Sequence, residues 1–350
     1  MALRKAERTI QEFALIRALQ RRFARKTPLL VQGIGDDAAV IAASPKTWWH
    51  LTTDLLAEGV HFDLSTATPE SVGYRAAMAN LSDIAAMGAV PHYLLTSLAI
   101  PKTFSSTRIY ALYEGLMKAC RLHGVRLIGG DTSASKAGVF LSITLIGITP
   151  ERRALFRHGA RVGDRIYVTG TLGDSLAGLQ LLSRSHGRTP RSTRSPSAGL
   201  RESHRQFLVN RHLRPTARLA EGQWLNKARL ATAAIDLSDG LSGDLRHICE
   251  ESQVGAELDL GTLPISPACR AYAERHRMPA FQLALTGGED YELLFTVSSK
   301  NQSAVERQAR THGYRVTCIG TIRRQRFGIQ MTSGDGRMRP VPMTSYEHFR

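Results

Sequence analysis

Carboxylates recur in this chain beside glycines and at the ends of apolar runs, in a pattern that could hold metal-bound phosphate. Gly33-Ile34-Gly35-Asp36-Asp37 sets two adjacent acids behind two glycines and ahead of the apolar run 38–42. Thr52-Thr53-Asp54 follows the apolar segment 48–51, Asp83 closes Asn80-Leu81-Ser82-Asp83, and Asp131 follows Leu127-Ile128-Gly129-Gly130. Asp236-Leu237-Ser238-Asp239-Gly240 follows the run 230–235, and Gly287-Gly288-Glu289-Asp290 precedes 291–297. The borders of apolar runs are where α/β folds collect ligand-binding groups. Any one of these acids is read equally well as a turn former, but six similar placements point to a shared site.

If several converge, like charges about 4 Å apart repel by about 4 kcal/mol at an effective dielectric of about 20, so the cluster needs cations. Oxygen donors without His or Cys suit magnesium or calcium, and magnesium shares its shell with substrate phosphates. The chemistry that fits is metal-assisted phosphoryl transfer. No GxxxxGKS/T, GxSxG or HExxH is present, and Gly33-x-Gly35 lacks the third glycine of a dinucleotide fingerprint.

The elements that must position these acids alternate between strand and helix. Phe13, Ile16, Leu19 and Phe23 recur at helical spacing behind a capping box, Thr9-x-x-Glu12, and Pro28 ends that helix. Segments 38–42 and 48–52 read as strands. Thr68-Pro69 opens a helix with a small face, Ala76, Ala77, Ala79, Ala85 and Ala86, that Gly88 and Pro91 close; Asn80 and Asp83 share one side of it. Then come a strand at 92–100, an amphipathic helix carrying Ile109, Leu112, Tyr113, Leu116 and Cys120, and strands at 125–128 and 139–148. Pro150 divides 1–149 from 150–350. The second half reads as a strand at 165–169, a helix to Leu182, a helix after Asp239, and a βαβ-like unit over 291–319. The expectation is a two-domain α/β (α+β) protein with a mixed N-terminal sheet and a C-terminal α/β domain.

Composition narrows the class. The 350 residues suffice for two buried cores, and no run approaches a membrane span. Four scattered cysteines without a CxxC pair, and an N-terminus without a signal-peptide core, fit the cytoplasm. The net charge of +16 raises a nucleic-acid reading, but eight arginines against the single acid Glu202 fall in 183–214. That Ser/Arg/Pro/Gly-rich stretch reads as an extended basic linker or insertion. Nucleic-acid binding through it is the minor alternative.

The ordered motifs 33–40, Thr52-Thr53-Asp54 with His61-Phe62, NLSDIAAMGA at 80–89, Gly129-Gly130-Asp131-Thr132, DLSDGL at 236–241 and GGEDYELLF at 287–295 carry a resemblance over nearly the whole chain. The sequence resembles the thiamine-monophosphate kinase family, within the ATP-binding superfamily named for aminoimidazole ribonucleotide synthetase. That resemblance implies ATP-dependent phosphorylation of thiamine monophosphate to thiamine diphosphate, in line, without a phosphoenzyme, and with several magnesium ions. It implies metal positions at Asp36, Thr52, Thr53, Asp54, Asp83, Asp131, Asp236 and Asp239, with Asp54, Asp83 and Asp131 catalytic. It implies nucleotide contacts from Gly130, Asp131, Arg157, Ser238 and Tyr113, and thiamine-side contacts from His61, Glu289 and Tyr346. A homodimer whose N-terminal strands pair into a barrel is implied as well, which makes 1–149 the ATP/magnesium-binding and dimerisation domain. The alternative is a superfamily enzyme with another acceptor; the branch that needs a reactive cysteine near the N-terminus is disfavoured, because the first cysteine is Cys120.

Overall fold

The computed structural model describes residues 12–25, 27–150, 153–185, 199–333, 336–342, 345, 346 and 348. Thr9 of the capping box and residues 186–198 of the basic stretch lie outside them.

The first half runs α1 (Glu12–Phe23), β1 (Leu30–Gln32), β2 (Ala39–Ser44), β3 (Thr47–Ala57), α2 (Pro69–Ala86), β4 (Val90–Ile100), α3 (Ser106–Leu122), β5 (Arg126–Ala134) and β6 (Phe140–Pro150). Its strands form one sheet in the order β1-β2-β3-β6-β4-β5, in which only β4 and β5 run parallel. Thr68 caps α2 by accepting from the Ser71 amide, with Pro69 in the first turn, as the sequence predicts. The small face of α2 serves close packing. A Cβ on Gly73 would stand 1.9 Å from the Leu112 carbonyl, and one on Gly115 would stand 1.8 Å from that of Glu70. Helices α2 and α3 therefore meet backbone to backbone and cover one face of the sheet. On β6, Leu141, Ile143 and Leu145 are buried there, while Ser142, Thr144 and Ile146 alternate onto a more open face. Trp49 and Leu55 are exposed on that open face. Within one chain the sheet is open, with β1 and β5 at its edges.

The second half comprises β7 (Arg165–Thr169), α4 (Asp174–Ser185), α5 (Glu202–Leu213), α6 (Leu219–Ala228), β8 (Ala231–Asp236), α7 (Leu241–Ser252), β9 (Val254–Asp259), α8 (Pro267–Arg275), α9 (Ala280–Thr286), β10 (Leu293–Val297), α10 (Gln302–His312), β11 (Val316–Arg324), β12 (Ile329–Thr332) and β13 (Met338–Pro340). The sheet order is β13-β12-β9-β11-β7-β10-β8. The expected βαβ-like unit is split: β10 and β11 flank β7, each antiparallel to it. Leu241, Leu245 and Ile248 of α7 share a core with Val168 and Leu258. Tyr167, Phe295, Leu225 and Val305 belong instead to a core continuous with that of the first half.

The halves are fused by this shared core. A Cβ on Gly222 of α6 would stand 2.0 Å from the Ala85 carbonyl of α2, and Asn226 donates to the Gly88 carbonyl. The expected extended linker at 183–214 is corrected over 202–213, which is helix α5. Leu208 and His212 of α5 are buried, and Leu208 lies against Gly178 of α4. Arginine, serine and proline content masked a helix that burial of one face stabilises. Among the described residues no helix is long and apolar enough to cross a membrane.

Candidate active site

Asp37, Asp83 and Asp236 come from three distant segments, and one carboxylate oxygen of each lies within 4.8 Å of the others. Asp37 ends the glycine turn before β2, Asp83 projects from the last turns of α2, and Asp236 terminates β8. Asp83 accepts from the Thr52 hydroxyl of β3, and Asp236 accepts from Ser82 at 2.6 Å. Burial pushes the Asp236 carboxyl up to about 8, with Asp37 adding repulsion. Asp83 is driven well above the usual carboxylate range by burial and then by Asp54, Asp236 and Asp37. Asp54 rises to about 6, through burial and then Asp37. Four acids thus share a region short of positive charge.

The sequence reading chose Asp36 from the Asp36-Asp37 pair, whereas the carboxylate that joins Asp83 and Asp236 is Asp37. Asp36 turns away to accept from the Arg157 amide at 3.2 Å, and burial lifts it to about 7. Arg157 places its guanidinium on Asp37 at 2.5 Å, which offsets one charge of the cluster. The other oxygen of Asp37, Oδ2, is buried without a hydrogen-bond partner. An orphaned carboxylate oxygen among oxygen-only donors fits a hard divalent cation such as magnesium.

A second acid passed over in the sequence is Asp244. It accepts from the Gly240 amide at 3.0 Å and the Asp239 amide at 3.3 Å, folding the DLSDG turn. Gly240 holds φ +112 there, where a side chain would be strained. The turn presents Ser238 and Asp239 to a cleft of about 1180 Å³. Burial and the nearby Glu12 raise Asp239 to about 6.

That cleft is lined from both halves, by Asp54 and His61 of the first and Ser238, Asp239, Glu289, Tyr346 and His348 of the second. All three expected thiamine-side residues therefore line one space. The His61 and His348 rings are 4.9 Å apart, and the Tyr346 amide donates to the Asp239 carbonyl at 3.2 Å, which ties Tyr346 to the DLSDG turn. Glu289 takes φ +60 and Tyr291 φ +52, conformations that cost non-glycine residues of order 1–3 kcal/mol each. Between them Asp290 accepts from the Gly173 amide at 2.6 Å and the Ser175 amide at 3.1 Å, clamping the start of α4. GGEDY is therefore a strained segment pinned by its central acid.

Gly130, Asp131, Thr53 and Tyr113 do not join the cluster within one chain. Asp54 and Asp131 were expected at strand ends; both lie inside strands, in β3 and β5. Asp54 is in register with Ile143, Ile143 with Thr96, and Thr96 with Gly130. Gly130 thus stands three strands from Asp54, roughly 14 Å at normal strand spacing. Asp131, one residue further, pairs with Ser97 and faces the open side of the sheet. Thr53 also faces that side and is exposed. Tyr113 bonds Thr96 through its hydroxyl at 3.1 Å, beneath Gly130 and outside the cleft.

Residues 35–149 match the family model for the AIR synthase related protein N-terminal domain, and residues 161–331 match that for the C-terminal domain. The chain is 39% identical over 317 residues to a thiamine-monophosphate kinase of Escherichia coli K12, covering 91% of each. It is 32% identical over 341 residues to one of Bacillus subtilis 168, covering 97% of this chain and 100% of that one. A solved structure described as AaThiL complexed with AMPPCP and TMP superposes with a TM-score of 0.81 at 34% identity, covering 100% of this chain and 99% of that chain. By both domain matches, and by these identities over most of each sequence, the chain belongs to the thiamine-monophosphate kinase family of AIR synthase related proteins.

Proposed function

We propose that this protein transfers the γ-phosphoryl group of ATP to the phosphate of thiamine monophosphate, giving thiamine diphosphate and ADP. The observation that carries the reading is the convergence of Asp37, Asp83 and Asp236 beside a cleft that Asp54, His61, Glu289 and Tyr346 line. The transfer joins two polyanions, so the protein's task is to align them and offset their charge.

Asp37, Asp54, Asp83, Asp236 and Asp239 would hold magnesium. Bound there, magnesium would neutralise the phosphates and polarise the transferred group. Thr52 orients Asp83 and Ser82 orients Asp236, so the carboxylates are set before ligands arrive. Arg157 and Ser238 would take nucleotide phosphate. The ring end of thiamine monophosphate lies against Tyr346 and His61, where an aromatic face suits a thiazolium cation. Glu289 accepts from its amino group.

Asp131 and Gly130 would enter this site through a homodimer, whereas Thr53 lines the cleft within one chain. The open face of the N-terminal sheet exposes Trp49 and Leu55 and carries Asp131, so strands of a second copy pairing with this sheet would close that face toward a barrel and bring another Asp131 toward the acids. We place the protein in the cytoplasm, in keeping with four unpaired cysteines.

The test is a coupled assay for thiamine diphosphate with magnesium, ATP and thiamine monophosphate, run with and without chelator. Metal-dependent product is the expected result. ADP release with purine-pathway acceptors but none with thiamine monophosphate would overturn the reading.

A further inference from the structure

Outside the residues assigned so far, Arg75 is a buried charge whose partners include residues already assigned to the site. It sits in α2 between Gly73 and Ala76, its side chain is 3% exposed, and it points into the junction between the halves. One guanidinium nitrogen, Nη2, donates to the backbone carbonyl of His61. The other, Nη1, lies 2.8 Å from Nε2 of His212 on α5 and 3.6 Å from Oε2 of Glu289. A single side chain thus reaches two thiamine-side residues that are 228 positions apart in sequence, together with a helix from the opposite half.

The partners fix a protonation pattern. Arginine can only donate, so Nε2 of His212 must accept, and the ring proton sits on Nδ1. Nδ1 is 3.1 Å from the Ser175 hydroxyl and 3.4 Å from Glu289 Oε2. Burial and Arg75 together push His212 down to about 3, so it stays neutral. Glu289 therefore faces one cation and one neutral N–H donor, and its carboxylate keeps capacity to accept from a ligand in the cleft. Its side chain is 28% exposed and lines the cleft.

We infer that Arg75 is a positioning residue for the thiamine end of the reaction, holding the His61 loop and the Glu289 carboxylate in the relative placement that receives the ring of thiamine monophosphate. This rests on the proposed function. A Gln at 75 removes the counter-charge of Glu289 and cannot span the three partners, while Lys keeps the charge but reaches fewer of them. A residue that only tied the halves together would change the melting temperature and the active fraction, leaving both KM values untouched.

The experiment measures kcat, KM for thiamine monophosphate and KM for ATP in wild type, Arg75→Gln, Arg75→Lys and His212→Asn, with melting temperature as control. Asn at 212 keeps a donor near the Nδ1 position and loses the acceptor of Arg75. We expect KM for thiamine monophosphate to rise at least ~10-fold in Arg75→Gln and ~3-fold in Arg75→Lys and His212→Asn, with KM for ATP within ~2-fold throughout. If Arg75→Gln does not fold, the other two variants carry the test. Unchanged KM for thiamine monophosphate in the folded variants, or an equal rise for ATP, overturns the inference. Wild type that makes no thiamine diphosphate overturns the functional reading and this inference with it; active wild type with indifferent variants overturns the inference alone.

Discussion

Beside the cleft, at the acid end of the site, Asp37, Asp83 and Asp236 crowd their oxygens within 4.8 Å, with Asp54 adding its field and Arg157 as the cation in contact. In the cleft lining, at the ring end, Glu289 stands against Arg75 and His212, each of which has further partners of its own. The acid end is left for incoming cations and phosphates to complete, because a binding site for them must be uncomfortable without them. The ring end is finished by the fold, because the rings of its ligand are recognised by shape, aromatic faces and a few hydrogen bonds.

The contrast can be broken most directly at Asp83. Asp83→Asn should lower turnover at least ~100-fold, about 2.7 kcal/mol in the barrier, because the change removes a charge used on the transferring group. The same variant, free of metal, should melt no lower than wild type, since it also removes like-charge repulsion. Thiamine diphosphate formation and a thermal melt read the two effects, and near-normal turnover would refute the role of the acid end. Glu289→Gln is the milder, opposite probe. It should raise KM for thiamine monophosphate ~10-fold, about 1.4 kcal/mol, while the dependence of rate on magnesium stays as in wild type. A shift in magnesium dependence would mean that the two ends are not separate.

The smallest effect is thermal. Asp36 and Asp236 are lifted to about 7 and about 8 from an ordinary 3.8, so the metal-free folded chain holds protons that the unfolded chain has lost. Stability from these groups is therefore full below about pH 4 and falls as pH rises through 7 and 8. His50, His212 and His247 are pushed down to about 4, about 3 and about 3. They oppose this trend only below about pH 7, where the unfolded histidines still bind protons. Melting in chelator should thus drop by a few degrees between about pH 7 and pH 8.5, and millimolar magnesium should restore more at the upper pH. A flat profile in chelator would show that the acids are not strained.

The sequence carried the chemistry of the acid end better than its geometry. Adjacent acids such as Asp36 and Asp37 look alike in a string; the turn at Gly35, with φ +119, helps decide which enters the cluster. Asp54 and Asp131 looked equivalent as acids beside apolar runs, yet strand register sets them on opposite faces and several strands apart, a long-range property that local pattern does not encode. The ring end left a trace that was passed over. A lone arginine amid Gly73, Ala76, Ala77 and Ala79 on a helix made to pack closely is a buried charge, and a buried charge has partners. His212 left none, because α5 was hidden in a basic, polar stretch whose helicity depends on packing against α4. The capped start of α2 and the amphipathic α3 were both legible, since each rests on neighbours a few residues away.

The contact of Gly222 with Ala85 bears on how ligands get in. Two helices that touch main chain to main chain, inside a core shared by both halves, tie the halves together at that seam. Smaller adjustments fall to lining residues outside it, among them Tyr346, His348 and Glu12, the last two joined by the bond from the His348 amide to the Glu12 carboxylate.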